Sequence, residues 1–106
     1  MADEVTIEQF TQEQAAGAVV VDVRDPDEYA GGHVTGAQSL PLGEIPARLD
    51  ELPRDQTLYL VCQAGGRSAK AADLLAGSGF DVRWVAGGTT AWTEAGGQMA
   101  SGPERG

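Results

Sequence analysis

Cys62 is the only cysteine of the chain, and the residues that follow it give the thiol a chemistry. In Cys62-Gln63-Ala64-Gly65-Gly66-Arg67-Ser68, two glycines and then a cation come directly after the sulfur. A free thiol, with a pKa of about 8.5, is only a few per cent ionised at neutral pH; inward N–H donors, a helix N-terminus or a nearby cation populate the nucleophilic thiolate. A loop that turns its amides toward one atom needs backbone angles that residues with a Cβ adopt reluctantly, and Gly65 and Gly66 supply them. Arg67 and Lys70 add a local positive spot to an otherwise acidic chain. The plainer alternative is a buried small hydrophobe, a simple glycine turn and a solvated Lys70.

The elements around this loop decide between those readings. Thr57-Leu58-Tyr59-Leu60-Val61 reads as a strand with Cys62 at its carboxyl end. A helix then starts at about Arg67 or Ser68, presents Ala71, Leu74 and Leu75 on one face, and stops at Gly77 or Gly79. Upstream, Thr6-Ile7-Glu8-Gln9 has the form of a capping box, opening a helix that Gly17 closes. Ala18-Val19-Val20-Val21 is an unbroken apolar run, expected of a central parallel strand covered on both faces. Asp25-Pro26-Asp27-Glu28 opens a short helix through Tyr29, and Gln38-Ser39-Leu40 follows a loop containing Gly36. Ile45 and Leu49 fit a helix begun or interrupted by Pro46. Val82-Arg83-Trp84-Val85 is a further strand, and Thr89 or Thr90 is expected to cap a last helix carrying Trp92 and ending at Gly96-Gly97. Strands alternating with helices predict an α/β fold with a parallel sheet, whose ligand sites lie at the carboxyl ends of the strands.

Composition narrows the classes of function. A chain of 106 residues, 42% hydrophobic and 22% charged, is expected to form one soluble domain, here over residues 1–97, with 98–106 as a flexible tail. A net charge of −9 disfavours nucleic acid and anionic membrane surfaces as partners. Met1-Ala2-Asp3-Glu4 lacks the start of a secretory signal and no stretch reaches membrane-spanning length, so a cytoplasmic location is expected. One cysteine and one histidine, His33, make neither a disulfide nor a metal cluster, and no metal is expected.

The loop resembles the C-x-x-G-x-R-[ST] active-site loop of rhodanese-like sulfurtransferases, and further matches occur in the same order. Asp22-Val23-Arg24 is similar to the family's D-V-R, and Asp25-Pro26 with Glu28-Tyr29 to its D-x-x-E-[FY]. Gly32-His33-Val34-Thr35-Gly36-Ala37 resembles G-H-[IV]-x-G-A, and Gly87-Gly88 with Ala91-Trp92 resembles G-G-x-x-A-W. The resemblance implies a central five-stranded parallel sheet with helices on both faces. It also implies a cysteine that takes sulfur from thiosulfate or a persulfide donor, holds it as a persulfide, and passes it to cyanide or a thiol acceptor, with no cofactor required. Cys62 is then the nucleophile, the amides from Gln63 through Ala64, Gly65 and Gly66 to Arg67 and Ser68 cradle the anion, and Arg67 closes the loop or binds the donor. Asp22, Arg24 and Glu28 are expected to form a supporting network. His33 is read as a hydrogen-bonded turn residue, and Tyr29 and Trp92 as core aromatics.

Two departures leave alternatives open. Gln63 and Ala64 stand where some relatives carry basic side chains, so a persulfide donor competes with thiosulfate. A sulfur-relay protein with protein donors and acceptors, or a partner-binding module without physiological thiosulfate activity, would carry the same motifs. A cysteine phosphatase or arsenate reductase also uses a thiolate, an amide-lined loop and an arginine, but with C-x5-R rather than the C-x4-R of Cys62 to Arg67.

Overall fold

The computed structural model describes residues 2–106. Its main sheet is formed by β1 (Asp3–Val5), β2 (Val19–Asp22), β4 (Gln38–Ser39), β5 (Leu58–Val61) and β6 (Val82–Val85). The strands lie in the order β1-β6-β5-β2-β4, and every pairing is parallel. β2 and β5 are in register from Val19 opposite Leu58 to Asp22 opposite Val61, so their carboxyl ends finish level with one another. The helices are α1 (Ile7–Ala15), α2 (Pro26–Ala30), α3 (Gly66–Gly77) and α4 (Gly88–Glu94).

The period-two geometry of the strands explains why β2 and β5 carry unbroken apolar runs. Val21, Leu58 and Leu60 face one core, packed with Ala71, Leu75 and Phe80. Val20, Tyr59 and Val61 face the other, packed with Phe10, Val85 and Trp92. The Phe10 and Trp92 rings meet edge to face at 5.3 Å in this second core. Thr6 and Gln9 form the reciprocal cap of α1, with the Gln9 N–H donating to the Thr6 hydroxyl at 3.1 Å and the Thr6 N–H to Gln9 Oε1 at 2.9 Å.

Four expectations are corrected by the tertiary structure. Leu74 points away from the core, because Ser68, Ala71, Ala72 and Leu75 make up the buried stripe of α3. The Pro46 segment forms two 3₁₀ turns, Leu42–Ala47 and Leu49–Glu51, rather than one helix. Neither Thr89 nor Thr90 caps α4, whose N-cap is Gly87 at φ 76°. The final residues also do not trail away from the domain. Met99–Ala100 forms β7, antiparallel to β3 (His33–Val34), while the Gly36 N–H donates to the Arg105 carbonyl at 2.7 Å. The Trp92 indole N–H reaches the Gln98 carbonyl at 3.0 Å, a tie that hydropathy patterning cannot register because it uses only backbone acceptors. No helix among the described residues is long and apolar enough to cross a membrane.

Candidate active site

Cys62 sits one residue beyond β5, is 1% exposed, and lines an open pocket of about 460 Å³ with Gln63, Ala64, Gly66, Arg67 and Lys70. The chain turns sharply here because Gly65 adopts φ 118°, a conformation in which a Cβ would also press to 3.3 Å from the Trp84 ring. That turn brings the Gly65 N–H to 3.0 Å from Sγ of Cys62. α3 begins at once with Gly66, and its buried Ser68 places its hydroxyl 3.5 Å from the sulfur and 3.1 Å from the Gly65 carbonyl. Burial pushes the Cys62 thiol up, but the Ser68 hydroxyl together with the N–H groups of Ser68, Gly65 and Ala64 outweighs it and holds the thiol below its ordinary value. The arrangement therefore eases ionisation of the sulfur at the base of a cleft, which is what a thiolate nucleophile requires.

Two polar networks brace the loop. In the first, buried Arg24 clasps buried Asp22, with Nη2 2.7 Å from Oδ2 and Nε 3.0 Å from Oδ1. Removing two charges from water is costly, and the additional bond from Nη2 to the Gly32 carbonyl at 2.8 Å offsets part of that cost. Arg24 Nη1 also donates to Gln63 Oε1 at 3.2 Å, and Gln63 Nε2 donates to the Thr90 hydroxyl at 2.8 Å. The Gln63 side chain is thus strung between two elements instead of projecting freely into the pocket. In the second network, Arg67 grips Glu28 with both arms, at 2.6 and 3.0 Å. The Arg67 hydrogen bond, followed by the opposing effect of burial, leaves the Glu28 carboxyl at about 2.

The start of α4 is part of the same construction. The Thr89 N–H donates to the Cys62 carbonyl at 2.8 Å, and the Thr90 N–H to the Gln63 carbonyl at 3.1 Å. Gly88, at φ 52°, makes this approach possible, since a Cβ there would lie 2.3 Å from the Cys62 carbonyl oxygen. The sequence reading assigns Thr89 and Thr90 to capping and so misses this clamp. The available signal is the Gly87-Gly88-Thr89-Thr90 run one residue after β6, where two glycines together mark a close backbone approach.

This geometry coincides with a family match over nearly the whole chain: residues 6–95 match the rhodanese-like domain. The chain belongs to the rhodanese-like family. It is 39% identical over 89 residues to the thiosulfate sulfurtransferase GlpE of Pseudomonas entomophila, covering 83% of this chain and 82% of that protein. It is 38% identical over 76 residues to the uncharacterized protein YqhL of Bacillus subtilis, covering 71% of this chain but spanning only 60% of that protein's length. Among solved structures, a rhodanese-related protein from Thermoplasma volcanium superposes with a TM-score of 0.87 at 27% identity, covering 96% of this chain and 99% of the other. The five-stranded parallel sheet is the expected rhodanese-like α/β fold.

Within this rhodanese-like domain, the residues expected at the site fall into distinct places. Gly65, Ser68 and the Ala64 amide converge on Cys62. Asp22 and Arg24 stand behind the loop, and Glu28 reaches it from α2 through Arg67. His33 is buried elsewhere, stacked at 3.7 Å on Tyr29, with Nδ1 2.9 Å from the Tyr29 carbonyl and Nε2 3.2 Å from that of Arg105. Both ring nitrogens are engaged by backbone. No cluster of three metal-ligating side chains occurs among the described residues.

Proposed function

We propose that the protein is a thiosulfate- or persulfide-dependent sulfurtransferase that carries the transferred sulfur on Cys62. The observation that carries this reading is the Cys62 sulfur held at 3.0 Å from the Gly65 N–H, beneath an open pocket and at the start of α3. In the first half-reaction the thiolate attacks the outer sulfur of thiosulfate. A sulfur–sulfur bond forms to Cys62, the bond to the sulfonate breaks, and its electron pair departs with sulfite. The outer sulfur then carries the negative charge, where the loop amides and the positive end of α3 stabilise it. In the second half-reaction cyanide or an acceptor thiolate attacks that outer sulfur, and the Cys62 thiolate is the leaving group. The reaction needs no metal or organic cofactor, because sulfur itself accepts and releases the electron pair. A cytoplasmic setting, where thiols remain reduced, suits a single free cysteine.

Intact mass measurement tests the reading. Incubation with thiosulfate, glutathione persulfide or a cysteine desulfurase supplied with cysteine is expected to add one sulfur, about 32 Da, to the wild type and nothing to Cys62→Ser. Wild-type protein that gains no sulfur from any of the three donors refutes it. A gain only from the desulfurase would favour the sulfur-relay form of the same chemistry.

A further inference from the structure

Resting on the sulfurtransferase reading, we propose that Lys70, and not Arg67, is the cation that receives the anionic group attached to the leaving sulfur of the donor. Two cations line the Cys62 pocket, Arg67 and Lys70. Arg67 is committed: both of its terminal nitrogens bond the Glu28 carboxylate, at 2.6 and 3.0 Å. The pair presents no net charge to a ligand. Lys70 is exposed on the next turn of α3 and makes no ion pair or side-chain hydrogen bond among the described residues. Gln63 is equally committed, to Arg24 and Thr90, and Ala64 offers only a methyl group. A donor whose outer sulfur is seated on Cys62 must project its charged end out through the mouth of the pocket, where Lys70 is the one cation left uncompensated among the described residues that line it. Arg67 is then a positioning residue, tying α3 to α2 through Glu28. A single cation matches donors whose negative charge is bonded directly to the leaving sulfur, thiosulfate above all, better than persulfides of larger thiols whose carboxylates lie far from the reacting atom.

Two assays on Lys70→Ala and Lys70→Arg test this assignment. The first is alkylation of Cys62 by iodoacetate, an anion, and by neutral iodoacetamide. Both form the same carbon–sulfur bond with loss of iodide, so their rate ratio reports the local field and not the reactivity of the thiol. Lys70→Ala is expected to lower the iodoacetate-to-iodoacetamide ratio about 1.5- to fivefold at low salt, the range for one exposed charge pair, and less at high salt. Lys70→Arg should restore it. In the second assay, Lys70→Ala should raise KM for thiosulfate by a similar factor with kcat little changed, and should affect glutathione persulfide less. The alkylation ratio needs no sulfur transfer, so it stands even if the sulfurtransferase reading fails by the mass test. A ratio unchanged in Lys70→Ala, or an equal rise in KM for both donors, overturns the assignment.

Discussion

Replacing Gly88 by alanine tests whether the first turn of α4 truly holds the Cys62 loop in place. The new Cβ would lie 2.3 Å from the Cys62 carbonyl oxygen and 3.0 Å from that of Gln63, both backbone atoms that cannot swing aside. Restoring ordinary contact requires α4 to retreat by about 1 Å, which stretches the 2.8 Å bond from the Thr89 N–H to Cys62 beyond hydrogen-bonding distance. The 3.1 Å bond from Thr90 to Gln63 weakens with it. Loss of these bonds contributes about 2 kcal/mol, and alanine at positive φ adds about 1–2 kcal/mol, giving a destabilisation of about 3–4 kcal/mol. That is a large part of the roughly 5–15 kcal/mol typical of a domain. Gly17→Ala is the control for strain alone, since Gly17 has φ 92° with nothing within 4 Å, and it should cost only about 1–2 kcal/mol. Gly77→Ala, helical and equally open, should be neutral or slightly stabilising. Urea unfolding of the three variants gives the comparison directly, and the iodoacetamide rate of folded Gly88→Ala reports the displaced loop. If Gly88→Ala loses no more stability than Gly17→Ala, α4 does not clamp the loop and the reasoning fails.

Two other consequences can be measured independently. The Ser68 hydroxyl is the strongest of the groups that lower the Cys62 thiol, so Ser68→Ala should shift the pH profile of iodoacetamide alkylation to higher pH; an unmoved profile removes Ser68 from the site. Glu28 titrates from an ordinary 4.5 down to about 2 in the folded protein, so its pairing stabilises the fold fully above about pH 4.5 and is lost as pH falls toward 2. The stability difference between wild type and Glu28→Gln should therefore be constant from pH 5 to 8 and close progressively in acid. Both partners are more than a third exposed, and solvent screening keeps the pair's contribution to within about 1 kcal/mol. A difference that persists at pH 2, followed by circular dichroism, would show that the loss comes from packing and not from charge.

Much of this protein can be read along the chain, because the information is local. The apolar runs Val19–Val21 and Leu58–Val61 prescribe strands covered on both faces, and the capping pair Thr6 and Gln9 sets the start of α1 without help from any distant residue. The thiol, the glycine turn and the following helix are likewise contiguous from Cys62 to Ser68, so the anion-favouring loop could be anticipated from seven residues in a row. What the sequence could not disclose is how side chains far apart in the chain commit one another. Arg67 reads as a free cation until α2 brings Glu28, 39 positions away, against it, and Gln63 reads only as an uncharged loop position until Arg24 and Thr90 take both ends of its side chain. The same holds for residues 98–106, whose polar, glycine-rich sequence carries no hydrophobic periodicity yet is fastened to β3, Gly36 and Trp92 through backbone hydrogen bonds. Hydrophobic patterning records which face of an element is buried. Which charge remains unpaired, and which backbone groups meet, is decided only when the parallel strands bring β2, β5 and β6 side by side and place the loops after them in contact.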